Sequence, residues 1–212
     1  MTDLSIGQKN LDSTLFPGVS SSVLVHGGFA NAHAKTASTI LAEVKKLLSS
    51  SGASTVVSVS SPPRRACMFS VSHDVTGTQV GHSLGGALAE LDAMFFTLNL
   101  PSSVHVKAVT YGTPRVGNAA WATFFDSKVS DFVRVDNKKY PIPILPGRFL
   151  NFKHPHGEIH ITSATAAYSC PGDDDATDSQ CTISQVPNIL ESNILDHLGP
   201  YDGIYIGTLY CT

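Results

Sequence analysis

The run Gly81-His82-Ser83-Leu84-Gly85-Gly86 constrains this chain more than any other stretch. Gly-x-Ser-x-Gly is the spacing at which a strand can turn sharply, hold the serine at the apex in a strained conformation, and pass at once into a helix. Glycines at 81 and 85 let the backbone on either side of Ser83 approach closely. The following residues agree with this reading. Ala87, Leu88, Leu91, Met94, Phe95 and Leu98 recur at helical spacing, and Pro101 stops the run. Ser83 Oγ would stand exposed at a helix N-terminus, with the Leu84 N–H aimed where an oxyanion can develop. A Gly-rich turn that merely starts a buried helix has the same pattern, so the rest of the chain has to decide.

Upstream, residues 14–30 read as a loop feeding a short strand, Val23-Leu24-Val25, followed by His26-Gly27-Gly28-Phe29. That tetrapeptide invites comparison with His-Gly-Gly oxyanion loops, but it opens toward a long amphipathic helix from Ala34 to about Ser50, so a strand-to-helix turn accounts for its glycines. Ile40, Leu41, Val44, Leu47 and Leu48 would line one face of this helix. Gly52 ends it, and Thr55-Val56-Val57-Ser58-Val59 is a β-branched strand. Residues 60–79 then interrupt, with paired prolines and no periodicity, and Thr78-Gln79-Val80 alone makes a poor strand. Beyond the Ser83 helix come the strand Val104–Val109, the turn Tyr111–Gly117, a short helix with Trp121, Phe124 and Phe125, and the strand Phe132–Val135 ending at Asp136. Strands and helices in this alternation predict one α/β domain with a mainly parallel sheet flanked by helices, and ligands outside the strands' carboxyl ends.

At 212 residues and 42% hydrophobic content, a single domain with a substantial core is expected. The net charge of −3 leaves no basic footprint for nucleic acid, and no apolar run is long enough to span a bilayer. Residues 140–150 carry three prolines in an apolar setting, which suits either a loop packed on the core or the wall of an acyl groove. His154, His156, Glu158 and His160 would share a face in an extended chain, as metal ligands can, but Pro155 and Gly157 interrupt the strand and no metal or other cofactor is expected. The acidic run Asp173–Asp175 reads as a solvated loop rather than a calcium site. Cys170 and Cys181 bracket that polar loop as a disulfide would in a secreted protein, with reduced cytosolic thiols the alternative; Cys67 and Cys211 have no evident arrangement. The first residues lack a secretory signal, so the expectation is either a cytosolic protein or a chain that is not the complete precursor.

Late in the chain, Asp196-His197-Leu198-Gly199-Pro200-Tyr201 supplies a histidine after the serine and the candidate acids. With the elbow, the Tyr111–Gly117 turn, Pro143–Phe149 and this segment in the same order, the chain resembles the secreted fungal class 3 lipases over about residues 3–59 and 80–212. The resemblance implies an α/β-hydrolase fold incomplete at its N-terminus, an extracellular location, and an esterase acting on acylglycerols at a lipid–water interface. It assigns Ser83 as nucleophile, His197 as general base and then general acid, and the Leu84 N–H as an oxyanion donor. Three departures stand out. The family's N-terminal portion is missing, residues 60–79 look like an insert, and Tyr140 occupies the position of the family's triad Asp. Asp136, earlier on the same strand, is the candidate substitute acid. The rival expectations are a feruloyl or other aryl esterase of the same fold and a catalytically impaired, lipid-binding relative.

Overall fold

A computed structural model describes residues 7–51, 56–60, 76–174 and 178–206. A two-stranded antiparallel ribbon, β1 (Gln8–Asn10) and β2 (Leu24–His26), leads into helices α1 (Gly27–Ala34) and α2 (Ala37–Ser51). Then follow β3 (Val56–Ser60), β4 (Thr76–His82), α3 (Leu84–Asn99), β5 (His105–Tyr111), α4 (Ala119–Asp126), β6 (Asp131–Asn137), β7 (Glu158–Ser163), β8 (Ala166–Cys170) and the short α5 (Thr182–Gln185). Strands β3 to β8 form one sheet in sequence order, parallel except where β8 folds back on β7. The mainly parallel sheet flanked by helices is therefore present.

Two expectations change. The helix expected from Ala34 to about Ser50 is α2, but a further helix precedes it where only a turn was expected: His26 Nδ1 accepts the N–H groups of Gly28 and Phe29 at 3.1 and 3.4 Å, which starts α1 directly at the turn. Within α2, Val44 is buried, but Leu47 is 52% exposed and lies off the buried stripe. The stretch read as an insert also belongs to the sheet at both ends. Ser60 closes β3 and Thr76–Gln79 open β4, which pairs along its full length with β5 and over five residues with β3. Pairing on both sides outweighs the weak strand propensity of Thr-Gly-Thr-Gln. Residues 61–75, including Cys67, and the tail with Cys211 lie outside the described residues.

The core forms where α1, α2, α3 and α4 meet the sheet, around Phe16, Val25, Leu91, Met94, Phe95, Phe96, Trp121 and Phe125. Each such large apolar side chain contributes about 1.5–3 kcal/mol by leaving water. Helix α3 is buried nearly all round, which explains why its sequence is apolar beyond a single stripe. The register of β4, β5 and β6 aligns His82 with Tyr111 and Tyr111 with Val135, so the three strands end along one edge. There the serine elbow, the Gly112 turn and the loop carrying Tyr140 meet.

Candidate active site

Ser83 caps α3 with φ 58° and ψ −127°, a region where a residue with a Cβ is strained by about 1–3 kcal/mol. Its neighbours impose that conformation. The Ser83 N–H donates to the Tyr111 carbonyl at 2.9 Å, and the Ser83 carbonyl accepts from Gly86 N–H at 2.9 Å. A Cβ on Gly81 would collide with the Gly85 carbonyl, and one on Gly86 with Thr113 Oγ1. The glycines thus let β4 and α3 cross closely enough to lift residue 83 to the apex. The Leu84 N–H, at the first helical residue, has no hydrogen-bond partner among the described residues.

His197 arrives from the far end of the chain on a 3₁₀ turn, Ile194–Leu198. Its carbonyl accepts from His82 Nε2 at 2.8 Å and from Tyr201 Oη at 3.3 Å, and its ring stacks on His82 with centroids 4.5 Å apart. Since a carbonyl only accepts, His82 carries its hydrogen on Nε2. The fold therefore seats His197 against the residue preceding Ser83. Burial, with help from His82, depresses the His197 pKa to about 4, so the imidazole is neutral and able to accept a proton. Asp196 faces away, its Oδ2 accepting the Lys139 N–H at 3.3 Å.

Behind the imidazole the arrangement departs from a serine triad. His197 Nδ1 is buried and has no hydrogen-bond partner among the described residues. A Cβ placed on Gly112 (φ 59°) would lie 2.8 Å from Tyr140 Oη, 2.9 Å from Tyr201 Oη and 3.1 Å from His197 Nδ1, so these three atoms crowd around one point. Tyr140, fully buried, packs its ring 5.2 Å from the imidazole and donates its O–H to Asp136 Oδ1 at 3.1 Å. Asp136 itself does not hold His197, because its other partners pull it inward. Arg134 Nη1 donates to Asp136 Oδ2 at 2.9 Å, and Thr182 Oγ1 donates to the same oxygen at 3.3 Å. Arg134 Nη2 also pairs with Glu158 at 2.8 Å, and Glu158 takes the Thr182 N–H at 2.8 Å. Burial pushes the Asp136 carboxyl up to about 7 against the pull of Arg134. Asp136, expected as the substitute acid, thus makes no hydrogen bond to the imidazole among the described residues and meets Tyr140 instead.

The histidine cluster dissolves into separate duties. His154 Nε2 contacts the Pro143 carbonyl at 2.9 Å, His156 pairs with Asp126, Glu158 serves Arg134, and His160 Nε2 contacts the Lys138 carbonyl at 2.8 Å. Glu158 also lies near Cys170 and Cys181, but those sulfurs are joined in a disulfide, as their bracketing of the loop suggests. The acidic loop is not simply solvated. Asp174 is buried because Arg115 needs a counter-charge: its Nε and Nη2 reach the carboxylate at 2.5 and 3.1 Å, while Nη1 holds the Pro146 carbonyl at 3.0 Å. The Pro-rich segment does line a groove of about 510 Å³, through Ile144, Leu145 and Gly147 with Val186 and Ile189 opposite, though Ser83 and His197 are not among its walls. Among the described residues no helix is long and apolar enough to cross a membrane.

A mainly parallel sheet whose strand β4 ends in a strained serine elbow, with a histidine delivered to the same edge by a segment late in the chain, defines the α/β-hydrolase class. Residues 64–150 match the class 3 lipase family. The chain is 33% identical to the secreted mono- and diacylglycerol lipase LIP1 of Malassezia globosa over 62% of this chain and 42% of that protein. It is 36% identical to the lipase of Rhizopus niveus over 58% of this chain and 31% of that one. Among solved structures, lipase II from Rhizopus niveus superposes with a TM-score of 0.70 at 25% identity, covering 96% of this chain and 66% of that chain. A structure described as a triacylglycerol lipase with a serine protease triad at its catalytic centre gives 0.66 at 27%, covering 96% and 66%. The chain thus spans less than half the length of these two curated relatives.

Proposed function

We propose that this chain is a serine ester hydrolase acting on acylglycerols, forming an acyl-enzyme on Ser83, and that it works outside the cell as its relatives named secreted do. The observation that carries this reading is Ser83 itself, held at a strained apex on the sheet's carboxyl edge with His197 stacked on its neighbour His82. His197, neutral through burial, takes the Ser83 proton as Oγ attacks the ester carbonyl. The Leu84 N–H receives part of the oxyanion charge, a contribution worth about 10²–10³ in kcat for one such donor. The imidazolium then returns the proton to the leaving alcohol, and water repeats the cycle to release the acid.

One observation favours a second reading, a relative of reduced activity. Where a triad acid would accept the imidazole N–H, His197 Nδ1 has no partner and Tyr140 stands in the way. A chromogenic ester assay on purified protein, with Ser83→Ala beside it, separates the two. A rate above background that the substitution abolishes supports the hydrolase; equal rates for both proteins overturn it. Comparing a long-chain acylglycerol with a feruloyl ester then sets acyl against aryl preference.

A further inference from the structure

Three hydroxyl-bearing or acidic groups converge behind His197 without a direct carboxylate contact to it. Tyr140 Oη stands at the middle of this group. Its hydrogen points at Asp136 Oδ1, 3.1 Å away, and its oxygen, the Tyr201 hydroxyl and the unpartnered His197 Nδ1 all lie within 3.1 Å of where a Gly112 side chain would begin. Gly112, with φ 59° and no Cβ, is what leaves that space open. Asp136 is in turn fixed by Arg134 and Thr182, so the phenol rests on a rigid, fully buried carboxylate.

We infer that Tyr140 and Asp136 act together as a positioning relay for His197, the phenol oxygen closing on the His197 Nδ1–H as the imidazole becomes charged while its own hydrogen bond to Asp136 carries that carboxylate's charge outward. The inference rests on the hydrolase reading above. In the balanced step, the Ser83 Oγ–H bond breaks and a bond to His197 Nε2 forms. The Nδ1–H stays on the ring and is shared with Tyr140 Oη, and the Tyr140 proton stays between its oxygen and Asp136 Oδ1. No further proton is needed. A hydrogen bond to a charged group is worth about 10- to 100-fold in a rate, well below the full worth of a triad carboxylate, because the phenol is neutral.

The relay makes the rate sensitive to the charge on Asp136. The groups facing that carboxyl are Arg134 on its own strand, Glu158 and His160 from β7, Thr182 from α5, and the Tyr140 and Tyr201 hydroxyls. With its ionisation near pH 7, the rate rises through that region as Asp136 becomes charged.

The test measures kcat and KM against pH for the unaltered chain, Tyr140→Phe, Asp136→Asn and the pair, together with the ¹⁵N-histidine NMR titration of His197 in each. Tyr140→Phe keeps the buried ring, so it remains informative if Asp136→Asn fails to fold. The relay predicts a kcat fall of about 10- to 100-fold with KM little changed, loss of the limb near pH 7, and a double variant no worse than either single. It also predicts a lower His197 titration midpoint in each variant. A kcat and a His197 titration both unmoved by Tyr140→Phe overturn the relay while leaving Ser83 catalysis standing. If no rate depends on Ser83 but the His197 midpoint still shifts, the relay stands and the hydrolase reading falls.

Discussion

Replacing Tyr140 by aspartate puts a carboxyl carbon where the tyrosine ring begins, beside an imidazole whose ring centre lies 5.2 Å from the phenol's. His197 Nδ1, now without a partner, would gain a charged acceptor. A triad carboxylate is worth about 10⁴ in kcat, and the phenol relay supplies about 10–100 of that, which leaves a gain of about 10²–10³ for Tyr140→Asp. Two costs oppose it. Emptying a fully buried aromatic site removes about 3–5 kcal/mol of stability. The new carboxylate also shares a buried site with Asp136, and like charges there raise both pKa values, so the gain develops above pH 7. The assay is kcat against pH from 6 to 9 on a chromogenic ester, with a thermal melt to establish folding. Adding Asp136→Asn removes the repulsion and moves the gain to lower pH. A folded Tyr140→Asp protein no faster than the unaltered chain at any pH in that range would refute the reasoning.

Glu90 offers a test of stability. It is fully buried, its Oε1 accepts Trp121 Nε1–H at 2.7 Å, its Oε2 has no partner among the described residues, and burial raises its pKa to about 8. A pKa raised on folding gives stability that is complete below the ordinary value near 4.5 and is lost as pH climbs to about 8, on the order of 5 kcal/mol in all. Urea unfolding across that range should show the decline, and Glu90→Gln should flatten it while keeping the Trp121 bond. Reducing Cys170–Cys181, which closes a loop of sequence separation 11, should cost about 3 kcal/mol, read as a lower midpoint in reductant. Gly112→Ala should abolish Ser83-dependent activity and destabilise the fold, because the methyl group meets Tyr140 Oη, Tyr201 Oη and His197 Nδ1 at a positive φ; an active, stable variant would contradict the crowding described at that point.

The elbow was legible because its constraint is local: glycine at 81, serine at 83 and an apolar helix after it are contiguous, and steric necessity binds them. The disulfide loop was legible for the same reason. The strand at 76–82 was not, since Thr-Gly-Thr-Gln has little strand character and gains it from pairing with β3 and β5. The burial of Asp174 depends on Arg115, 59 positions earlier, and no local pattern announces that pair. His82 fills the unspecified position of the elbow pattern, and its contact with His197 appears only once the late segment is in place. Asp136 lay on the strand that was expected, but its orientation is set by Arg134 and Thr182, which turn it from the imidazole toward Tyr140. A proline or phenylalanine at 112 would have warned against the site; glycine there gave no signal until the three side chains around it were placed.

The central claim is that Ser83 is a nucleophile activated by His197. An activated aryl phosphonate that mimics the acyl transition state reads this directly by mass spectrometry. The account predicts one covalent adduct, on the peptide containing Ser83, formed far more slowly in His197→Gln and absent in Ser83→Ala. A folded protein that takes no label, or takes it at another residue, would contradict it.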